Sequence, residues 1–320
     1  MTQPTILMLC RLPEAQGDQL DQLGIVHRAF ESDDKEALFT SIKEDVSIII
    51  TTAGVRCDGA LMAKFPNLRL VANYGVGYDG VETAHAAANS ITVTNTPDVL
   101  TEEVADTALG LLLMTVRELP QAERYLRTGK WGAKGPYPLS PSSLQTRTLG
   151  IYGLGRIGMA IAKRAEAFGM PIEYHNRSKK SDVSYPYHDS LLSLAKSVDT
   201  LMVVVPGGAG TLNAVNANVL EALGPDGVLI NVGRGSTVDE EALGEALADN
   251  TILGAGLDVF ADEPYVPANF MNHPRVVLLP HVASASKHTR GLMAQLTVDN
   301  VKAYTTNGSF ITPVPETPVT

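Results

Sequence analysis

One six-residue stretch restricts this chain more than any other: Gly153-Leu154-Gly155-Arg156-Ile157-Gly158. It follows the apolar run Leu149–Tyr152 and opens a helix-forming run, Met159–Phe168, which Gly169 closes. Glycines at that spacing let the chain turn tightly at Gly153, bring backbone close to a ligand at Gly155, and pack helix on strand at Gly158. The helix N-terminus so made presents unbonded N–H groups and a positive dipole end to an anion. A second apolar run, Ile172–His175, follows at once. The motif therefore lies in a βαβ unit, where its ligand is a dinucleotide pyrophosphate. All six residues are cofactor-binding candidates.

The rest of the chain alternates in the same way. Thr5–Leu9, Val46–Thr51, Leu68–Asn73 and Ile91–Asn95 read as strands, with helical stretches at Lys35–Lys43, Gly59–Phe65 and Val81–Asn89 between them. A second series, Thr148–Tyr152, Ile172–His175, Thr200–Val205, Gly227–Val232, Ala255–Val259 and Val276–Leu279, surrounds the glycine motif. Apolar strands alternating with helices imply parallel sheets buried on both faces. Between the series lies a helix from Thr101 that is apolar almost all round over Val104–Val116, which predicts a domain or subunit interface. Pro120 is expected to break or kink it, and Gly129–Ser143 to form an extended arm. A last helix is expected from about Ser286 to Thr305, with Leu292, Leu296, Val301 and Tyr304 on its apolar face, then a loose tail over Thr312–Thr320.

A length of 320 residues suits two domains. The expected class is α/β, with a Rossmann-type nucleotide-binding domain (residues 100–286) inserted into a flavodoxin-like substrate-binding domain (residues 1–99 and 287–320) and a cleft between them. A formal net charge of −10 weighs against a nucleic-acid partner. No apolar run is long enough to span a bilayer, and no signal peptide is visible before Cys10. Two cysteines, Cys10 and Cys57, read as buried free thiols in a reducing compartment, so a cytoplasmic protein is expected.

The end of the second strand of the nucleotide-binding series selects the cofactor. NAD readers place an acid there, about 20 residues past the glycines, to bond the ribose 2′-hydroxyl. This chain reads Tyr174-His-Asn-Arg-Ser-Lys-Lys180. Asn176 stands where the acid is expected, and Arg177 and Ser178 follow with groups that bind a 2′-phosphate. NADP(H) is therefore expected in preference to NAD(H). Glu173 lies near the expected spacing too; strand alternation points it away from the loop, and a shifted register would return it.

Hydride transfer to a ketone needs a group to hold the substrate, a proton donor for the developing alkoxide, and a partner for that donor. Arg234 in Asn231-Val-Gly-Arg-Gly235, Glu263 in Asp-Glu-Pro264 and His281 in Leu279-Pro-His281 supply these types, each at the end of an expected strand. That edge is where open α/β sheets bind ligands. No metal is required.

With those residues in that order, the chain resembles the D-isomer-specific 2-hydroxyacid dehydrogenases along nearly its whole length. The likeness points to the glyoxylate/hydroxypyruvate and 2-ketogluconate reductase branch. It implies that Arg234 grips the substrate carboxylate, that His281 donates the proton, and that Glu263 bonds the other ring nitrogen and keeps the ring charged. It also implies that the N–H groups of Val76 and Gly77, in Asn73-Tyr-Gly-Val-Gly-Tyr-Asp79, meet the carboxylate, with Ser284 nearby. Asp258 is implied to orient the nicotinamide carboxamide, and Val205, Pro206, Thr211 and Val232 to touch the cofactor. The implied reaction is NADPH-dependent reduction of glyoxylate, hydroxypyruvate or 2-keto-D-gluconate to the D-2-hydroxy acid, in a homodimer. The chain departs from the common pattern at Pro206-Gly-Gly-Ala-Gly-Thr211 and at Val282-Ala-Ser-Ala-Ser286. An NAD-linked dehydrogenase of another 2-hydroxy acid and a cofactor-gated corepressor-like binding protein remain as alternatives.

Overall fold

The computed structural model describes residues 3–317. The chain forms two compact units: one runs to Leu100 and resumes at Ala285, and the other is Thr101–Ser284.

The first unit carries five parallel strands: β1 (Thr5–Met8), β2 (Ile25–Arg28), β3 (Val46–Thr51), β4 (Leu70–Asn73) and β5 (Thr92–Thr94). Their order is β2-β1-β3-β4-β5, the flavodoxin-like winding. Ile48, Ile49 and Ile50 are each 0% exposed; successive residues face opposite ways, so both faces of the sheet are covered. Strand β2 and the helix Glu14–Leu23 before it escape a reading based on apolar runs. The strand lies at the sheet edge with no fully buried residue, and the helix buries only Gly17 and Leu20.

The helix Lys287–Asn307 belongs to this unit, with the Ser286 hydroxyl capping it by accepting the Thr289 N–H. Its buried face holds Met293, Ala294, Thr297, Val298, Asn300 and Val301, whereas Leu292 is exposed. The expected stripe is thus displaced, because two polar residues on the inner face satisfy their own hydrogen bonds. Thr297 donates to Met293 O, and Asn300 bonds Leu296 O and the Thr312 hydroxyl.

The expected loose tail is overturned over residues 312–317; the remainder lies outside the described residues. Val314 is buried and donates its N–H to Val93 O, and the Thr317 hydroxyl accepts the Val93 N–H. Strand β5 would otherwise leave an open edge, and the tail covers it.

The second unit carries seven parallel strands: β6 (Leu149–Tyr152), β7 (Ile172–His175), β8 (Tyr187–His188), β9 (Thr200–Val203), β10 (Val228–Asn231), β11 (Gly254–Leu257) and β12 (Val276–Leu278). The order β12-β11-β10-β9-β6-β7-β8 reverses between β6 and β9, the switch point at which doubly wound sheets bind ligands. The helix Thr101–Val116 lies on this sheet: a Cβ on Gly256 of β11 would come within 2.5 Å of Thr115 Oγ1 and 2.9 Å of Leu111 Cγ. Part of its apolar face is thus covered within its own unit. Its polar edge pairs Glu102 and Asp106 with Arg164 of the helix Arg156–Ala167.

That long helix ends at Val116, before the proline expected to break it. Glu118 is left-handed at φ 53°, and Pro120 sits in the first turn of a separate helix, Leu119–Arg127, where its missing N–H costs nothing. The segment beyond is not extended throughout, since Lys130–Lys134 forms a short helix. Leu126, Trp131 and Leu139 stand exposed along it. No helix among the described residues is long and apolar enough to cross a membrane.

Candidate active site

The glycine turn follows β6 at the switch point. Gly153 has φ 105°, a conformation L side chains avoid, and a Cβ there would meet the Val205 backbone nitrogen at 2.9 Å. A Cβ on Gly158 would fall 2.4 Å from Gly153 O, so helix and turn touch there. Gly155 differs: a Cβ would meet no atom within 4 Å, and the helix begins at the next residue, Arg156. Space above a bare backbone at a helix N-terminus is what a pyrophosphate requires. Val205 packs between this turn and Gly233, whose Cβ would lie 2.7 Å from Val205 O. Val205 and Val232 are buried, and Pro206 is exposed. Thr211 closes the loop after Pro206, with its hydroxyl donating to Pro206 O at 2.7 Å.

The loop after β7 carries the residues expected at the adenosine end of the cofactor. Asn176 accepts the Leu154 N–H on Oδ1 at 2.6 Å, which locks the glycine turn to this loop. Arg177, Ser178 and Lys179 are exposed. The alternative acid, Glu173, is engaged elsewhere: its Oε2 lies 2.6 Å from His188 Nε2 and accepts the Ser197 hydroxyl at 2.6 Å. The carboxylate near the expected spacing is thus taken up by His188 and Ser197.

At the carboxyl ends of β10, β11 and β12 the three expected catalytic residues converge. Asn231 ends β10, donates its side-chain N–H to Arg234 O at 2.9 Å and accepts the Gly233 N–H at 3.0 Å, fixing the turn that presents Arg234. Gly235 is obligatory for space, since a Cβ would lie 1.8 Å from the Phe260 carbonyl carbon. Glu263 accepts from His281 Nδ1 at 2.7 Å and from the Phe260 N–H at 3.0 Å. Burial alone would raise the Glu263 carboxyl. The hydrogen bonds from His281 and Phe260 and the charges of His281 and Arg234 outweigh it and hold the carboxyl below its ordinary range.

Asp258 is 1% exposed, and its two oxygens accept the N–H groups of Val282 at 2.7 Å and Ala283 at 3.0 Å. Burial nevertheless raises its carboxyl above the usual value. It anchors the loop that carries His281, a task beyond its expected contact with the cofactor. Ser284, at the end of this loop, is buried. Glu240 was not among the sequence candidates; its carboxylate accepts the Ala261 N–H at 2.9 Å and so steadies the loop leading to Glu263. Its signal in the sequence was only an acid in the first turn of a helix.

The Val76–Gly77 loop lies in the first unit, after β4. Asn73 donates its side-chain amide to Gly75 O at 2.9 Å and Gly77 O at 3.0 Å, and Asn95 donates to Val76 O at 2.8 Å. Three successive carbonyls are thereby turned onto asparagine side chains. The N–H groups of Val76 and Gly77 have no hydrogen-bond partner among the described residues, which leaves them available to an anion.

The chain is similar to known proteins along nearly its whole length. Residues 109–283 match the family described as D-isomer specific 2-hydroxyacid dehydrogenase, NAD binding domain. The chain is 41% identical to glyoxylate/hydroxypyruvate reductase A of Arabidopsis thaliana over 97% of its length and 98% of that protein. It is 36% identical to the 2-ketogluconate reductase of Gluconobacter oxydans over 98% of its length and 99% of that protein. Among solved structures, the NADPH-dependent glyoxylate/hydroxypyruvate reductase of Sinorhizobium meliloti in complex with NADP and malonate superposes with a TM-score of 0.93. The two are 53% identical, covering 99% of this chain and 98% of that one.

Proposed function

The chain belongs to the D-isomer specific 2-hydroxyacid dehydrogenase family, and from that premise we propose that it reduces glyoxylate, hydroxypyruvate or 2-keto-D-gluconate to the D-2-hydroxy acid, with NADPH preferred over NADH. The observation that carries the reading is the Glu263–His281 pair at 2.7 Å, at the same sheet edge as Arg234. Nδ1 of His281 is engaged by the carboxylate, and Nε2 has no partner among the described residues, so Nε2 is the nitrogen offered to a substrate.

The residues present fit a dinucleotide. Leu154 to Gly158 supply the helix N-terminus and the open space at Gly155, with Gly153 making the turn. Asn176, Arg177 and Ser178 form the loop for the ribose and its 2′-phosphate, and Val205, Pro206, Thr211, Val232 and Asp258 border the nicotinamide half. When bound, the reduced nicotinamide supplies a hydride to the keto carbon. Nε2 of His281 passes its proton to the keto oxygen, so that C=O becomes CH–OH. Glu263, ionised, balances the imidazolium before the transfer and holds the ring plane throughout. Arg234 takes the substrate carboxylate and polarises the keto oxygen, with the Ser284 hydroxyl as a further donor; the N–H groups of Val76 and Gly77 are the first unit's own carboxylate donors. General-acid help of this kind is worth on the order of 10²–10⁴ in rate.

The same proposal takes residues 100–286 as the cofactor domain and the flanking segments as the substrate domain. The exposed Leu126, Trp131 and Leu139 support a homodimer, and the buried, unpaired Cys10 and Cys57 support a cytoplasmic setting. Initial rates with hydroxypyruvate, comparing NADPH and NADH at equal concentration, test the reading. NADPH is expected to give the higher kcat/KM. A preference for NADH overturns the role given to Arg177, and cofactor binding without turnover of any 2-keto acid points to a binding protein instead.

A further inference from the structure

The C-terminal segment that covers β5 also reaches the loop proposed to bind the substrate carboxylate. Thr312 and Asn95 bond each other twice: the Asn95 N–H donates to Thr312 O at 3.2 Å, and the Thr312 hydroxyl donates to Asn95 O at 2.6 Å. That hydroxyl in turn accepts from Asn300 Nδ2 at 2.9 Å, and Asn300 Oδ1 accepts the N–H groups of Ile311 at 3.0 Å and Thr312 at 3.1 Å. Asn300 is 0% exposed, so the helix Lys287–Asn307 holds Thr312 through a buried amide with both ends satisfied. From Asn95 the path continues by its side chain to Val76 O. A second tether lies beside it: the Tyr78 hydroxyl donates to the Glu316 carboxylate at 3.0 Å. Burial, then the bond and charge of Glu316, push the Tyr78 phenol up to about 12, so it remains a donor at any working pH.

We propose that the segment Ile311–Thr317 is a strap that sets the Val76–Gly77 anion loop, with Thr312 acting through Asn95 on Val76 and Glu316 acting through Tyr78 beside Gly77. These are positioning residues; none touches substrate. The inference rests on the reading of Val76 and Gly77 as carboxylate donors. An anion nest works only while its N–H vectors converge, and the carbonyls of the same peptides set those vectors. A strap that holds Val76 O therefore governs affinity for the keto acid and leaves the cofactor and the chemical step alone.

The test compares Thr312→Val, Thr312→Ser, Glu316→Ala and Gly77→Pro with the parent enzyme. Steady-state KM is measured for glyoxylate and for NADPH, with kcat and the inhibition constant of oxalate. Thr312→Val keeps the shape and removes the hydroxyl; it is expected to raise KM for glyoxylate and the oxalate constant roughly three- to tenfold, the range of one hydrogen bond. KM for NADPH and kcat are expected to stay within about twofold. Thr312→Ser restores the parent values. Glu316→Ala, at an exposed position, shifts KM for glyoxylate in the same direction and keeps the test valid if Thr312→Val does not fold. Gly77→Pro, which deletes one nest N–H, raises KM for glyoxylate directly. If Gly77→Pro has an effect while Thr312→Val and Glu316→Ala have none, the strap is wrong and the nest stands. If Gly77→Pro has no effect, the nest fails and the strap with it. If Thr312→Val shifts all constants together and serine does not rescue, the residue is merely structural and the proposal is overturned.

Discussion

Nδ1 of His281 lies 2.7 Å from Oε2 of Glu263, and the backbone on both sides of that contact is held by other carboxylates. His281 has φ 54°, a left-handed conformation costly for a residue with a side chain. Its N–H donates to Asp258 O, and the next two N–H groups donate to the Asp258 side chain. Glu240 holds Ala261 on the approach to Glu263. The ring is thus oriented by contacts within the chain, which is the preorganisation that the proposed proton transfer needs.

Glu263→Gln keeps the shape of the side chain and removes its charge. At neutral pH kcat is expected to fall about 10²-fold, with KM for NADPH unchanged. The stability consequence has a definite sign. Because the folded protein depresses the Glu263 carboxyl, its stabilisation is present above the ordinary carboxylate value and is lost as pH falls below about 4.3 toward the depressed value. Melting temperatures of the parent should therefore drop faster than those of the variant on acidification below that point. Parallel curves would contradict the assignment.

Gly155 and Gly158 separate ligand space from packing space. Alanine at 158 would place a Cβ 2.4 Å from the Gly153 carbonyl oxygen, so Gly158→Ala is expected to lower the melting temperature as well as cofactor affinity. Alanine at 155 meets nothing in the chain and has a permitted φ of −85°. Gly155→Ala should melt as the parent does yet raise KM for NADPH by roughly tenfold or more, about 1.4 kcal/mol of lost close approach. Unchanged KM in Gly155→Ala would place the pyrophosphate elsewhere.

How much of this was legible follows from what apolar periodicity can see. The central strands were readable because residues such as Ile48–Ile50 are buried on both faces and permit no polar substitution. The edge strands β2 and β8 and the weakly buried helix Glu14–Leu23 carry no such pattern. The three residues proposed to carry the chemistry, Arg234, Glu263 and His281, stood out as an ordered set of residue types after expected strands. The residues that aim the loops did not, because asparagine reads equally as a turn former. Asn73 and Asn231 end strands, and Asn95 and Asn176 immediately follow them; each bonds the loop beside it through its side-chain amide. An asparagine closing an apolar run before a glycine-rich loop is a usable signal. The tail was misread because its prolines suggested looseness, while its fixing bonds come from Val93, Asn95 and Asn300, far away in sequence.

Arg177 stands exposed at the loop where Glu173 is turned away toward His188 and Ser197. Arg177→Ala is expected to raise KM for NADPH about 10- to 100-fold, the scale of a lost charge-assisted contact with phosphate, while KM for NADH moves less than about threefold. Rising ionic strength should weaken NADPH more than NADH in the parent and equally in the variant. Equal losses for both cofactors in Arg177→Ala would show that the guanidinium supports the loop rather than reading the 2′-phosphate.

Asp258→Asn tests whether the His281 loop depends on a carboxylate with two acceptors. The two N–H groups of Val282 and Ala283 each need an oxygen, and an amide offers one oxygen and one NH₂. One buried N–H is left facing another donor, at a cost of about 1–3 kcal/mol in denaturant unfolding. The pH dependence moves oppositely to that of Glu263. Burial raises the Asp258 carboxyl, so its ionisation opposes folding as pH rises from about 3.9 through the raised folded-state value. The variant's deficit should therefore be largest at the acid end of that window and narrow as pH rises, because only the parent pays for charging a buried group. Since the same loop carries His281, kcat is expected to fall together with stability. A variant that unfolds more easily but keeps the parent kcat would show that His281 is held without Asp258.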